Sequence, residues 1–412
     1  MGVIERAVVF SDLHLGKDEG YLFSPDPNYQ SNKKALVELL KAYAPFDEII
    51  LNGDILDLAA AGLDAVYSEV RNFFQLVAEL EPVKRIVYVP GNHDHHFWRF
   101  MGEEIHVTGR VKKGESPPGH GDYPRCFVDR RYSSKDPAHK PHILLTHLWP
   151  EDSAGWVPEF VVKYPHHLVR VPQENSGFKN YLITHGHFLE SLFKPINYLI
   201  SPTYLEEIEA FNNLWLEAFD YHLGHAGRLS EKTRELEKRF TQGGKQARRK
   251  VQAIFGAVYK NLKKKIDIKF PVSWIIKYAL RAIIKKVPMK RTEQSDLRGE
   301  HLDEKLLNSI KEYTWKYILQ RYLGKNKKEL HLPSDKDIPI PFTFIFGHTH
   351  EPFNEEEMKK AVVTIKGKSY PLINTGGWLR SDGDGKGNGQ CSGVAIIDKK
   401  GANWVPMEGK LK

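Results

Sequence analysis

Phe346-Gly347-His348-Thr349-His350 closes an apolar run that begins at Phe342, and it decides how the rest of the chain is read. A β-rich segment that stops at a small residue and then at paired histidines is a strand feeding side chains into a loop. Four other segments have the same form. Val8-Val9-Phe10-Ser11-Asp12-Leu13-His14 opens the chain, and Ile49-Ile50-Leu51-Asn52-Gly53-Asp54 follows. Ile86-Val87-Tyr88-Val89-Pro90-Gly91-Asn92-His93-Asp94 is the third, and Tyr181-Leu182-Ile183-Thr184-His185-Gly186-His187 the fourth. In α/β sheets, ligands gather at strand ends of this kind.

The residue types narrow the chemistry. Carboxylate, amide oxygen and neutral imidazole suit a hard or borderline divalent ion. None of these segments contains cysteine, which excludes a structural thiolate zinc site. Asp12-x-His14 and His348-x-His350 share an i, i+2 spacing, which on a strand places both side chains on one face. The donors Asp12, His14, Asp54, Asn92, His185, His348 and His350 are too many for one ion. They suit two ions if a carboxylate bridges. Two ions about 3.5–4 Å apart clamp an in-line displacement at phosphorus.

The order Asp-x-His, Gly-Asp-x-x-Asp, Gly-Asn-His-Asp, His-Gly-His and Gly-His-Thr-His resembles the calcineurin-like metallophosphoesterases. The likeness covers residues 1–190 and 335–412 and departs at Ser11, where many members carry glycine. It implies an α/β fold of that family's type: a β-sandwich flanked by helices, in four layers (αββα). It implies that Asp12, His14 and His350 hold one ion, that Asn92, His185 and His348 hold the other, and that Asp54 bridges them. It makes His93 the proton donor to the leaving group, with Asp94 orienting that imidazole. The implied activity is hydrolysis of a phosphoester or pyrophosphate bond by a hydroxide activated between two divalent ions. Manganese is the first expectation; iron and zinc fit the same donors.

Some positions stay open. Asp57 either supports the site from behind or caps the helix after Leu58, and the cap is the plainer reading. His187 either meets the substrate phosphate or braces a ligand. His147, which ends the strand-like run Ile143–His147, competes with His185. His185 is favoured because Gly186 allows close backbone approach, and because Lys179 to Thr184 reads as the second arm of a hairpin whose first arm is His167 to Val171. His95 and His96 either line the cleft or are exposed loop residues, and exposure is the plainer reading.

Helices are expected from Asn32 to Tyr43 and from Val66 to Leu80, and residues 103–141 read as a charged Gly/Pro-rich loop with one strand near Cys126. Short strands return at Phe342–Phe346, Val362–Ile365, Leu372–Asn374 and Gly393–Ile397. The turn Asn374-Thr375-Gly376-Gly377-Trp378 is expected to support the site from behind.

Between His187 and His348 the pattern turns helical. Residues 191–334 read as an inserted, all-helical cap, and 1–190 with 335–412 as the core. A chain of 412 residues is long enough for two domains. Residues 225–290 carry 19 Lys/Arg against 4 Asp/Glu, a balance of +15, so the remainder of this +8 chain sits at −7. Inside that basic segment, Pro271 to Val287 presents Lys277, Arg281 and Lys285 as a narrow stripe, with Trp274, Ile276, Tyr278 and Ile283 on a wide apolar arc. This is either a helix buried in the cap or an interfacial helix lying on anionic lipid. Lys277 and Arg281 are the substrate-contact candidates there. Two partners follow as expectations beyond the phosphorylated substrate: an anionic membrane surface, and nucleic acid as the alternative, since basic residues neutralise backbone phosphates.

Cys126 and Cys391 make no disulfide framework, which fits a reducing compartment. The first strand starts too near Met1 for a signal peptide to precede it. No run is long and apolar enough to span a bilayer. A cytoplasmic location, with peripheral membrane contact, is the expectation.

Overall fold

The structure is a computed structural model of the chain. It describes residues 3–17, 20, 22–23, 30–59, 61–80, 82–117, 126–129, 144–150, 155–174, 177–187, 342–350, 352–353, 361–365, 368–379 and 392–407. Two compact units are distinguished, Met1–Gly186 with Leu319–Lys412, and His187–Ile318. The described residues other than His187 belong to the first. The expected domain boundaries, the helical cap, Lys277 and Arg281 lie outside the described residues.

Two sheets form the first unit. One has seven strands in the order β12-β11-β1-β2-β3-β5-β4, and the other five in the order β6-β7-β8-β10-β9. In the first, β1 (Ala7–Phe10), β2 (Glu48–Asn52), β3 (Arg85–Val89) and β5 (Glu159–Lys163) run parallel. The edges β4 (Cys126–Asp129), β11 (Gly393–Asp398) and β12 (Gly401–Pro406) pair antiparallel. In the second, β7 (Phe178–Thr184), β8 (Phe342–Phe346) and β10 (Lys368–Asn374) run parallel, with β6 (His166–Pro172) and β9 (Val362–Ile365) antiparallel at the edges.

Strands buried on both faces read as continuous apolar runs, and β1 to β3 do. The pleat divides them. Ala7, Val9, Ile50, Val87 and Val89 meet Val169, Tyr181, Ile183, Ile345 and Ile373 of the other sheet in one buried cluster. Phe10 points the opposite way and packs edge-on against Phe73, ring centroids 5.5 Å apart. Phe73 belongs to α2 (Leu63–Ala78), whose buried Val66, Val70, Phe73, Phe74 and Val77 recur at helical spacing. With α1 (Gln30–Tyr43) and α2, three of the four expected layers are visible among the described residues.

The sequence reading needs correction in two stretches. Ile143–His147 is not a strand: Leu144–Leu148 forms the short helix α5, with Leu145 and Leu148 buried and His147 exposed. A five-residue apolar run cannot separate the two periods, and here i, i+3 burial wins. Residues 103–112 are not loop. They continue α3 (His95–Gly102) through a π-helical turn, Glu103–Thr108, into α4 (Gly109–Lys112). His95 is accordingly buried rather than exposed, 5.2 Å from the Tyr164 ring, and His96 is half-buried.

Candidate metal centre

The parallel strands β1, β2 and β3 of one sheet and β7 and β8 of the other end where the expected donors begin. Just past those ends the backbone departs from strand geometry. Among the described residues, the non-glycine positions with left-handed φ are Asp12 (56°), His14 (45°), Asp54 (51°), His348 (71°) and His350 (59°). Every one is an expected ligand. Such positions cost of order 1–3 kcal/mol each and persist where the surroundings over-determine them. The i, i+2 pairs are therefore presented from left-handed backbone, not from the pleat of a strand.

Backbone bonds lock the loops together. Asp12 N–H donates to Gly53 O at 3.0 Å, His14 N–H to Asp54 O at 2.9 Å, and Gly347 N–H to His185 O at 3.1 Å. Trp378 N–H donates to Asp12 O at 3.1 Å, so the turn after β10 does brace the site. Asn374 adds to this by donating through Nδ2 to Thr349 Oγ1 at 2.6 Å. Two glycines make room. A Cβ on Gly53, at φ +80°, would strike the His185 ring, and one on Gly91 would strike the Asp54 carboxylate.

Among the described residues three groups could hold an ion: one is His14 with Asp57 and His93, and two are built from the expected ligands alone. Asp12, His14, Asp54 and His350 have ligand atoms within 4.8 Å of one another, and so do Asp54, His185 and His348. Asp54 belongs to both. Asn92 joins the second, its Oδ1 lying 3.2 Å from His185 Nε2. With His185 neutral, its Nδ1–H donates to Asn52 O at 3.2 Å and Nε2 carries a lone pair. That lone pair faces Asn92 Oδ1 and, also at 3.2 Å, Asp54 Oδ2. Likewise His14 Nδ1–H donates to Asp57 Oδ2 at 3.1 Å, which turns its Nε2 lone pair toward His350 Nε2, 3.1 Å away. Lone pairs converging in a buried space are favourable only around positive charge. The donor set therefore fits two divalent ions.

The titration behaviour says the same. Burial raises the Asp12 and Asp54 carboxyls, but the facing imidazoles, His185 foremost, outweigh it and hold both below the usual range. Burial opposes charge on His185 too, yet Asp54 and Asp12 push it up to about 9. Without cations, protons supply the charge that the carboxylates demand. His14 is different: burial presses it down to about 4, keeping it neutral.

His93 sits at the rim, with its side chain 20% exposed. The expected partner of its ring is Asp94, but Asp94 faces away. It accepts from the Ile55 N–H at 2.8 Å, and from Gly91 N–H and the Tyr88 hydroxyl, which ties the β2 and β3 loops together. The partner is Asp57, whose Oδ1 accepts from His93 Nδ1 at 3.0 Å while Oδ2 accepts from His14. Lys17 Nζ, 3.4 Å from Asp57 Oδ2, completes this grouping. Burial would lower His93, but Asp57 and Asp54 outweigh it and raise it to about 10. The spacing Gly53-Asp54-x-x-Asp57 was the signal for Asp57; Lys17 had none. His187 is buried and begins the second unit. His147, on α5, stands apart in a different element from every donor group.

A family model described as calcineurin-like phosphoesterase matches residues 5–257, more than half of the chain. The chain belongs to the calcineurin-like phosphoesterase family. Phosphoester hydrolysis dependent on metal is accordingly its class of activity. The match ends well before Gly347-His348-Thr349-His350, so it is the fold that brings this last block of the phosphoesterase to the others. No curated protein sequence matches the chain significantly. Among the described residues, no helix is long and apolar enough to cross a membrane.

Proposed function

We propose that this phosphoesterase hydrolyses a phosphoester or pyrophosphate bond in an amphiphilic, lipid-linked substrate, with two divalent ions, manganese first, held by Asp12, His14 and His350, by Asn92, His185 and His348, and by Asp54 in common. The observation that carries the reading is that two donor groups share Asp54. When bound, two such ions neutralise charge on phosphoryl oxygens and make a water nucleophilic near neutral pH. The chain supplies the rest. His93, its Nδ1–H committed to Asp57, is left with Nε2 as the nitrogen that passes a proton to the departing oxygen. Asp57 keeps the ring in that orientation and stabilises its cationic form. Buried Asp94 holds the loops that present His93 and Asp54.

The lipid-linked part rests on sequence. In the sequence, the apolar, basic segment Pro271–Val287 falls between two donor blocks, which makes it a cap candidate. The +15 balance of residues 225–290 favours the second reading, cleavage of nucleic-acid phosphodiesters. One panel separates them. Metal-stripped protein reloaded with Mn2+ is assayed on phosphomonoesters, diesters, lipid-linked pyrophosphates and single-stranded DNA, and sedimented with anionic vesicles. Turnover of the lipid-linked compound, with vesicle binding lost in an Ile276→Asp, Ile283→Asp variant, supports the first reading. Salt-sensitive DNA cleavage without vesicle binding replaces it with the second.

A further inference from the structure

The Ser11 hydroxyl is fully buried and touches two acceptors at once, Asp12 Oδ2 and, at 2.9 Å, the carbonyl oxygen of Asn52. A hydroxyl has one hydrogen, so it satisfies one of them at a time. The two acceptors belong to different halves of the site. Asp12 is in the group with His14 and His350, whereas the Asn52 carbonyl receives His185 Nδ1–H from the other group. The hydroxyl has no room to move away. Gly347 covers it so closely that a Cβ there would overlap both Ser11 Oγ and the Asp12 carboxylate. On the remaining side, His348 N–H lies 3.0 and 2.9 Å from the two Asp12 oxygens, so the carboxylate is held from both sides.

We infer that Ser11 is a positioning residue that sets the orientation and cation affinity of Asp12, and so makes the Asp12 half of the centre distinct from the His185 half. This rests on the two-ion reading above. An ionised carboxylate is the stronger acceptor, so with Asp12 bearing its full charge the Ser11 proton points to it. Charge drawn from Asp12 by a cation shifts that proton toward the Asn52 carbonyl. Hydrogen bonds of this kind to a ligating side chain orient it and tune its affinity.

The test uses the full chain, stripped of metal and titrated with Mn2+, free Mn2+ being read from its electron paramagnetic resonance signal. Ser11→Ala and Ser11→Gly both delete the hydroxyl, and the glycine variant adds no bulk; melting curves confirm that each is folded. The expected result is one site weakened about 10–100-fold in both variants, with the other unchanged. Wild-type affinity at both sites, or equal weakening of both, overturns the inference. A wild-type chain that takes up fewer than two Mn2+ overturns the two-ion reading itself and removes the basis for this one.

Discussion

Asp57 and His93 show how much a single contact decides. Both Asp57 and Asp94 follow a glycine-turn donor in the sequence, and only the fold tells which one meets the His93 ring. Because Asp57 binds Nδ1 of both His14 and His93, the proposed proton donor and a proposed metal ligand are oriented by the same carboxylate. Replacing His93 by alanine should lower kcat about 10²- to 10⁴-fold, the usual worth of a positioned acid, while bound metal stays at the wild-type level. Loss of metal together with activity would make His93 a structural support instead. Asp54→Asn should act differently, since the residue common to both donor groups loses its negative charge and one of its two oxygens. Metal analysis should find both ions depleted along with activity; full loading of that variant would remove Asp54 from the bridge.

At the level of strands and helices, a separate charged network links the starts of β2, β3 and β5 to the other sheet. Glu48 opens β2, Arg85 opens β3, and His167 lies near the start of β6 in the other sheet. His167 Nε2 is 2.8 Å from Glu48 Oε2, and Arg85 spans Glu48 at 2.9 Å and Glu159 at 2.7 Å. Lys163 Nζ lies 2.9 Å from His167 Nδ1. An ammonium only donates, so Nδ1 is the acceptor and His167 is neutral, giving its Nε2–H to Glu48. Burial, with Lys163, holds His167 down at about 4, while the His167 and Arg85 donors outweigh burial and hold Glu48 at about 2. The unfolded histidine takes up a proton below pH 6.5 and the folded one only near 4, so stability falls as pH drops through that window. Between pH 6.5 and 5 the loss from this group is about 2 kcal/mol at 1.36 kcal/mol per unit. His167→Gln keeps both hydrogen bonds and cannot titrate. Urea unfolding at the two pH values should therefore show a smaller loss in the variant than in wild type. Parallel losses would place the acid sensitivity elsewhere.

Across the whole molecule, the proposed metal centre, with its buried carboxylates, predicts that cations contribute to the folding energetics. Removing metal with a chelator should lower Tm, and Mn2+ should restore it, at about 2.7 kcal/mol per ion for a hundredfold excess over Kd. An unchanged melting curve would mean that protons satisfy the cluster as well as metal does. The five donor blocks and their element type were legible in the sequence because buried parallel strands are continuous apolar runs and because Asp, Asn and His after Gly or Ser mark their ends. The helix α5 and the helical course of residues 95–112 were not, since short or mixed runs take their conformation from what they pack against. Nor was β5, whose place between β3 and β4 depends on pairing with a strand far away in sequence. The chain by itself determined which chemical groups are available: carboxylates, imidazoles and an amide suited to divalent cations. Tertiary structure alone decided which atom of each faces which neighbour. Left-handed turns, ring tautomers and the choice of Asp57 over Asp94 follow from contacts between loops far apart in sequence, and no local pattern encodes those.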